Sequence, residues 1–210
     1  ASCVRTESDG GAFVRGYRFD YSDDEVDLST GVVVEVLAMR DVHISLSYTA
    51  SPDLTAELQH MYEIIIGGWG NTQSSIRRHK DGPNKVVQGT INIVSDYTKR
   101  MFWVRVLDGK VAVGRGCDIG QHTFMSWQDP EPLDVSYIGL TTVDTPGQFV
   151  HCNSVEDAQI NRRCTDEWVG RTTPATTTTT MPQYILDYTD STTPDFECEF
   201  DYLESATPII

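Results

Sequence analysis

From residue 12 to residue 152 the chain is cut into short runs of Val, Ile, Leu, Tyr, Phe, Trp and Thr by clusters of Asp, Asn, Gly, Pro and Ser. No feature constrains the fold more. Runs of this composition fit the pleated, half-buried surface of a sheet, and the residues between them are those that tolerate tight turns. The expected strands are 12–19, 32–38, 42–49, 61–66, 74–79, 85–94, 100–107, 110–115, 122–127, 135–142 and 148–152. Asp108-Gly109, between VRVL and KVAV, is the strongest hairpin signal, because both residues accept positive φ. Only 53–60 has helical composition, and for two turns at most. Eleven short strands with almost no helix predict an all-β fold, an antiparallel β-sandwich of jelly-roll type.

Such a fold needs large side chains between its sheets. Trp103, Trp127, Phe102 and Phe124 are therefore expected in the core, and Trp69 with them. Trp69 sits in Gly67-Gly68-Trp69-Gly70-Asn71, between an apolar strand and the polar, β-branched segment 72–78. A glycine turn that cradles a phosphate leads into a helix N-terminus. Nothing helical follows here, so the plain expectation is a hairpin packed by its own Trp. An exposed ring on so rigid a turn would instead form a stacking platform for a sugar, with Trp69, Asn71, Arg77 and Arg78 as the candidate contacts.

Three stretches carry a family resemblance: Tyr62–Arg78 (YEIIIGGWGNTQSSIRR), Phe102–Gly116 (FWVRVLDGKVAVGRG) and Ser126–Gly139 (SWQDPEPLDVSYIG). In order and spacing they resemble the farnesoic acid O-methyltransferase-like domain family over roughly residues 12–150. The resemblance implies a β-sandwich module of secreted proteins with an interaction or lectin-like role. The family name suggests methyl transfer, yet no position here matches a methyltransferase cofactor motif. Cys117 stands where the family implies a small residue, and is expected to be a thiol particular to this chain.

Charge excludes some partners. Sixteen Lys and Arg face 31 Asp and Glu, a net of -15. A nucleic-acid binder needs clustered bases to neutralise phosphate, and anionic lipid needs the same. No apolar run approaches a membrane span of about 18 residues. Five acids crowd into Asp20–Asp27: Asp20, Asp23, Asp24, Glu25 and Asp27. They read as a solvated loop or as oxygen ligands for calcium, without the order of an EF-hand. The five histidines, His43, His60, His79, His122 and His151, show no metal-ligand spacing. Ser45 and His43 lack a nucleophile elbow. We expect no enzyme activity and no cofactor beyond calcium.

The five cysteines, Cys3, Cys117, Cys152, Cys164 and Cys198, form no C-x-x-C pair. Disulfide staples in an oxidising compartment are the expectation, with the pairing open and one thiol left over. Cys3, Cys152 and Cys164 flank the domain and are expected near one another. Residues 172–182 are a Thr/Pro linker, suited to O-glycosylation at Thr176, Thr177, Thr178, Thr179 and Thr180. Beyond it, 183–210 carries acids but no Lys or Arg, and Phe196, Cys198, Phe200 and Tyr202 alternate with acids. Period two marks an amphipathic strand. It has three possible fates: pairing with a neighbouring copy, docking on its own domain, or disorder.

The expected organisation is an extension (1–11), the sandwich (12–152), a Cys-containing extension (153–171), the linker and the tail. The leading functional expectation is a secreted, extracellular structural or adhesive protein. It would self-assemble through Phe196, Cys198, Phe200 and Tyr202, with filaments as one form of the assembly. The alternative is a secreted carbohydrate-binding module. Partners are expected to be copies of itself and glycans, not nucleic acid.

Overall fold

The computed structural model describes residues 3–11, 17–50, 60–153. The chain divides after Thr172, and every described residue lies in the first of its two units. In chain order the elements are β1 (Cys3–Ser8), β2 (Asp20–Tyr21), β3 (Val32–Ala38), β4 (Val42–Ser47), β5 (Met61–Gly67), α1 (Gly68–Asn71), β6 (Gln73–Arg77), β7 (Asn84–Gly89), β8 (Arg100–Leu107), β9 (Lys110–Arg115), β10 (Thr123–Gln128), β11 (Tyr137–Thr142) and β12 (Gly147–Cys152). Two six-stranded antiparallel sheets result. One runs β1-β12-β3-β8-β9-β10 and the other β2-β11-β4-β5-β6-β7. The fold is a β-sandwich.

Period two places the core. Val32, Val34 and Val36 of β3, Phe102 and Val104 of β8, and Val111 and Val113 of β9 face inward from the first sheet. Val42, Ile44 and Leu46 of β4 meet them from the second sheet, with Tyr62, Ile64 and Ile66 of β5. Strands β3, β8 and β9 fall where the sequence places them. Asp108 and Gly109 both take positive φ, 51° and 74°, as a two-residue hairpin between twisted strands requires.

Both sheets are also covered on their outer faces. On the first, Val33, Met101, Trp103, Ala112, Val150 and Cys152 form a second apolar cluster, with Cys117 and Ile119 against it. Trp103 lies flat over Gly114, where a Cβ would stand 2.2 Å from the ring. On the second, all six residues of β4 are buried, polar ones included. Tyr17, Phe19 and Tyr21 cross this face as a chain of ring contacts with centroids 5.7 and 6.1 Å apart. Gly139 leaves the room that Tyr21 and Phe19 occupy.

Several expectations need correction. Residues 3–8, placed in an extension, form the edge strand β1 and pair with β12 from Cys3↔Cys152 to Ser8↔Gly147. Of the run 12–19, Tyr17–Phe19 are not strand, and 12–16 lie outside the described residues, as do most of the helical segment 53–60 and all of 154–210. Trp69 is not core; it is 45% exposed. Cys3 and Cys152 form a disulfide. Cys117 is disulfide-bonded as well, so it is no free thiol. Cys164 lies outside the described residues. No helix among them is long and apolar enough to cross a membrane.

Candidate functional site

The β5–β6 connection sets the site. Gly67, Trp69, Gly70 and Asn71 all have positive φ, between 51° and 70°. Gly67 and Gly70 adopt this region without steric cost, but a bulky aromatic there is a real outlier. Trp69 is held in place by its surroundings. The Asn71 side chain donates to the carbonyls of Val94 (2.9 Å) and Met39 (3.2 Å) and accepts from Val94 N–H (3.3 Å). Thr72 Oγ1 donates to the Trp69 carbonyl at 2.7 Å. The Asn71 side chain thus anchors the turn.

Beside the exposed ring lies a cleft of about 290 Å³, lined by Arg40, Asp41, His43, Trp69, Arg77 and Asp144 among others. The β3–β4 and β11–β12 turns supply Asp41 and Asp144, both also with positive φ. Arg77 spreads its guanidinium 5.9 Å from the Trp69 ring centroid. Arg40 Nη1 lies 3.2 Å from Asp41 Oδ2. Burial pushes the Asp41 carboxyl up, and the Asp144 charge adds to this, against the pull of Arg40 and His43.

Beneath the cleft Glu63 is buried at 0% exposure on the outer face of β5. It is the one charge in MYEIII. Its carboxylate accepts from His43 Nδ1 (3.0 Å), Arg77 Nη1 (3.1 Å), the Asp81 backbone N–H (3.1 Å) and the Tyr17 hydroxyl. Burial alone would raise the Glu63 pKa. The hydrogen bonds from His43 and Tyr17 and the Arg77 charge outweigh it and hold Glu63 below the ordinary carboxylate value. Burial and the same carboxylate push the Tyr17 phenol up. Arg77 Nε also donates to Asn84 Oδ1 at 2.9 Å.

Arg78, the next residue along, serves the opposite end. Its Nε meets Asp129 Oδ2 at 2.8 Å, as does the Tyr62 hydroxyl at 2.8 Å. This pair ties the 129–133 loop to the sheet, and burial pushes Tyr62 up to about 12. Of the four expected contacts, Trp69 and Arg77 line this cleft together, while the Asn71 and Arg78 side chains are engaged with Val94 and Asp129.

The acidic loop separates its members. Val26 and Leu28 are buried, while Asp20, Asp23, Asp24, Glu25 and Asp27 face solvent. Asp27 accepts from Ser29 N–H and Oγ at 3.0 and 2.6 Å, and Glu25 from the Tyr137 hydroxyl at 3.3 Å. Among the described residues no group of three or more His, Cys, Asp or Glu is placed to hold a metal ion. The assembly residues Phe196, Cys198, Phe200 and Tyr202, and Thr176–Thr180, lie outside the described residues.

The family model for farnesoic acid O-methyl transferase matches residues 13–154, which hold β2 to β12 and the glycine turn. The chain belongs to this family. A relative, a BTB/POZ domain-containing protein of Arabidopsis thaliana, is 28% identical over 85 residues. That match covers 40% of this chain and only 10% of the relative. Solved structures with some likeness include a β-1,3-1,4-glucanase from a mouse hindgut metagenome, at 10% identity and TM-score 0.41. It covers 70% of this chain and 89% of that one. Sheep galectin-11 shares 11% identity, with 60% and 94% covered and TM-score 0.37. A CBM40 module of a Ruminococcus gnavus sialidase shares 8%, with 72% and 92% covered and TM-score 0.38. Scores of this size fix neither ligand nor activity for a family member.

Proposed function

We propose that this family member is a secreted, non-enzymatic carbohydrate-binding module whose ligand stacks on Trp69. One observation carries the reading: a large aromatic held half-exposed in a left-handed conformation, beside a cleft of opposed charges. Strain of this kind costs about 1–3 kcal/mol and persists only where the surroundings enforce it. A sugar presents C–H groups to an aromatic face and hydroxyls to polar side chains. Trp69 offers the first contact, and Asp41, His43 and Arg77 the second. The cleft lies at the bottom of the roughly 300–1,000 Å³ range of small-molecule and cofactor sites. That size suits a sugar residue better than a nucleoside cofactor. The Cys3–Cys152 disulfide fits an oxidising compartment.

The test is binding of the full chain to immobilised neutral and anionic oligosaccharides, with S-adenosylmethionine titrated in parallel. Trp69→Ala should weaken glycan binding at least tenfold with the melting temperature retained. Heat on adding S-adenosylmethionine, with no glycan bound, would sink the proposal. Assembly through residues 183–210 is a second proposal; its support is the period-two pattern of that segment.

A further inference from the structure

The glycan reading can be sharpened by asking what the cleft offers a ligand beyond the ring of Trp69. His43 Nδ1 is held by Glu63 at 3.0 Å. An ionised carboxylate only accepts, so Nδ1 carries the proton. Nε2 is then the ring nitrogen left for a ligand, and a sugar hydroxyl, which both donates and accepts, can pair with it. The imidazole lines the cleft, and among the described residues no hydrogen bond takes Nε2. The ring cannot swing away. Tyr17 packs edge-on against it at 4.7 Å, the side chain is 5% exposed, and Glu63 is itself fixed by Tyr17, Arg77 and the Asp81 backbone. A buried carboxylate that orients an imidazole toward an open cleft fixes both its tautomer and its direction.

The charges of the cleft narrow the ligand further. Both arginines among the described lining residues already hold a carboxylate: Arg40 holds Asp41 at 3.2 Å, and Arg77 holds Glu63 at 3.1 Å. Neither guanidinium is left to clamp the carboxylate of an acidic sugar, and the Asp41 carboxylate beside them would repel one. Resting on the carbohydrate reading, we propose that His43, oriented by Glu63, is a specificity-determining contact. Its Nε2 hydrogen-bonds a hydroxyl of an uncharged sugar that stacks on Trp69.

The test uses the full chain, its Trp69→Ala and His43→Asn variants, and immobilised oligosaccharides of glucose, galactose and mannose, with sialylated and sulfated glycans as anionic probes. Asn places an amide N–H about where His43 Nδ1 stands, so the bond to Glu63 and the fold are kept while nothing reaches into the cleft. The expected result is a neutral ligand bound by the wild type and lost with Trp69→Ala. His43→Asn should weaken it at least fivefold at unchanged melting temperature. One monodeoxy congener should bind wild type and His43→Asn equally, because the hydroxyl that Nε2 pairs with is gone. Neutral binding that depends on Trp69 but ignores His43→Asn would overturn this inference and leave the carbohydrate reading standing. Tighter binding of the anionic glycans would also overturn it. No glycan bound by the wild type would overturn both.

Discussion

His151 should make the sandwich acid-sensitive well above the range in which its carboxylates titrate. The residue lies on β12 at 1% exposure, and among the described residues neither ring nitrogen has a hydrogen-bond partner. Burial pushes its pKa down to about 4, with the Asp24 charge pulling only weakly the other way. In the unfolded chain an imidazole titrates near 6.5. Between those values the unfolded state binds a proton that the native state refuses. Stability is therefore fully present above about pH 6.5 and drains away as the pH falls toward 4. The gap of about 2.5 pK units corresponds to about 3 kcal/mol in all, of which about 2 is lost by pH 5. Glu63, Asp129 and Asp27 have lowered values, so their contributions fade only at and below the ordinary carboxylate range. Asp41, raised by burial, acts in the opposite sense. The assay is urea unfolding of the oxidised protein at pH 7 and pH 5, for wild type and His151→Leu. With a urea dependence of about 2 kcal/mol per molar, the wild-type midpoint should fall by about 1 M, and that of the variant by much less. Equal falls in the two proteins would refute the reasoning, since the lost stability would then belong to other groups.

Other outcomes follow from geometry already described. Trp69→Gly should abolish glycan binding and yet raise stability by about 1 kcal/mol, because glycine meets no penalty at a φ of 51°; a lower urea midpoint would count against it. Gly114→Ala would press a methyl into the Trp103 ring and should cost about 1–3 kcal/mol, visible as a lower midpoint and altered near-ultraviolet dichroism. Replacing both Cys3 and Cys152 by Ser opens a link spanning 149 residues; chain entropy sets the loss at about 5 kcal/mol, measured by urea unfolding with the remaining cysteines oxidised. For the assembly proposal, light scattering after size exclusion should show large species for the full chain and a monomer for residues 1–171. Two monomers would end it.

What the sequence disclosed, and what it hid, divides along a physical line. Strands β3, β8 and β9 were readable because alternation and turn chemistry agree locally, as with Asp108-Gly109. The edge strand β1 was not. CVRTES is largely polar, and its place is set by pairing with a strand 149 residues away. Trp69 was misjudged because a tryptophan's usual burial outweighs a local reading, and only the backbone shows the left-handed turn that lifts it out. The structural partners of two expected contacts were hidden for a related reason. Asn71 and Arg78 are polar residues beside the right turn, but their partners, Val94 and Asp129, are distant in sequence. Glu63 did leave a signal, a lone charge in an apolar run. Its meaning depends on Tyr17, His43, Arg77 and Asp81, drawn from three other stretches of chain, and no local pattern assembles them.

The register that joins β1 to β12 makes the edge of the sheet resistant to pulling. Cys3 and Cys152 stand opposite each other with Cα atoms 4.3 Å apart. A pull on the chain before Cys3 is therefore shared at once with β12, the inner neighbour of β1, through a covalent bond. The edge strand cannot be peeled away by itself: β1 and β12 must leave together, and β12 is paired with β3 from Gly147 to Cys152.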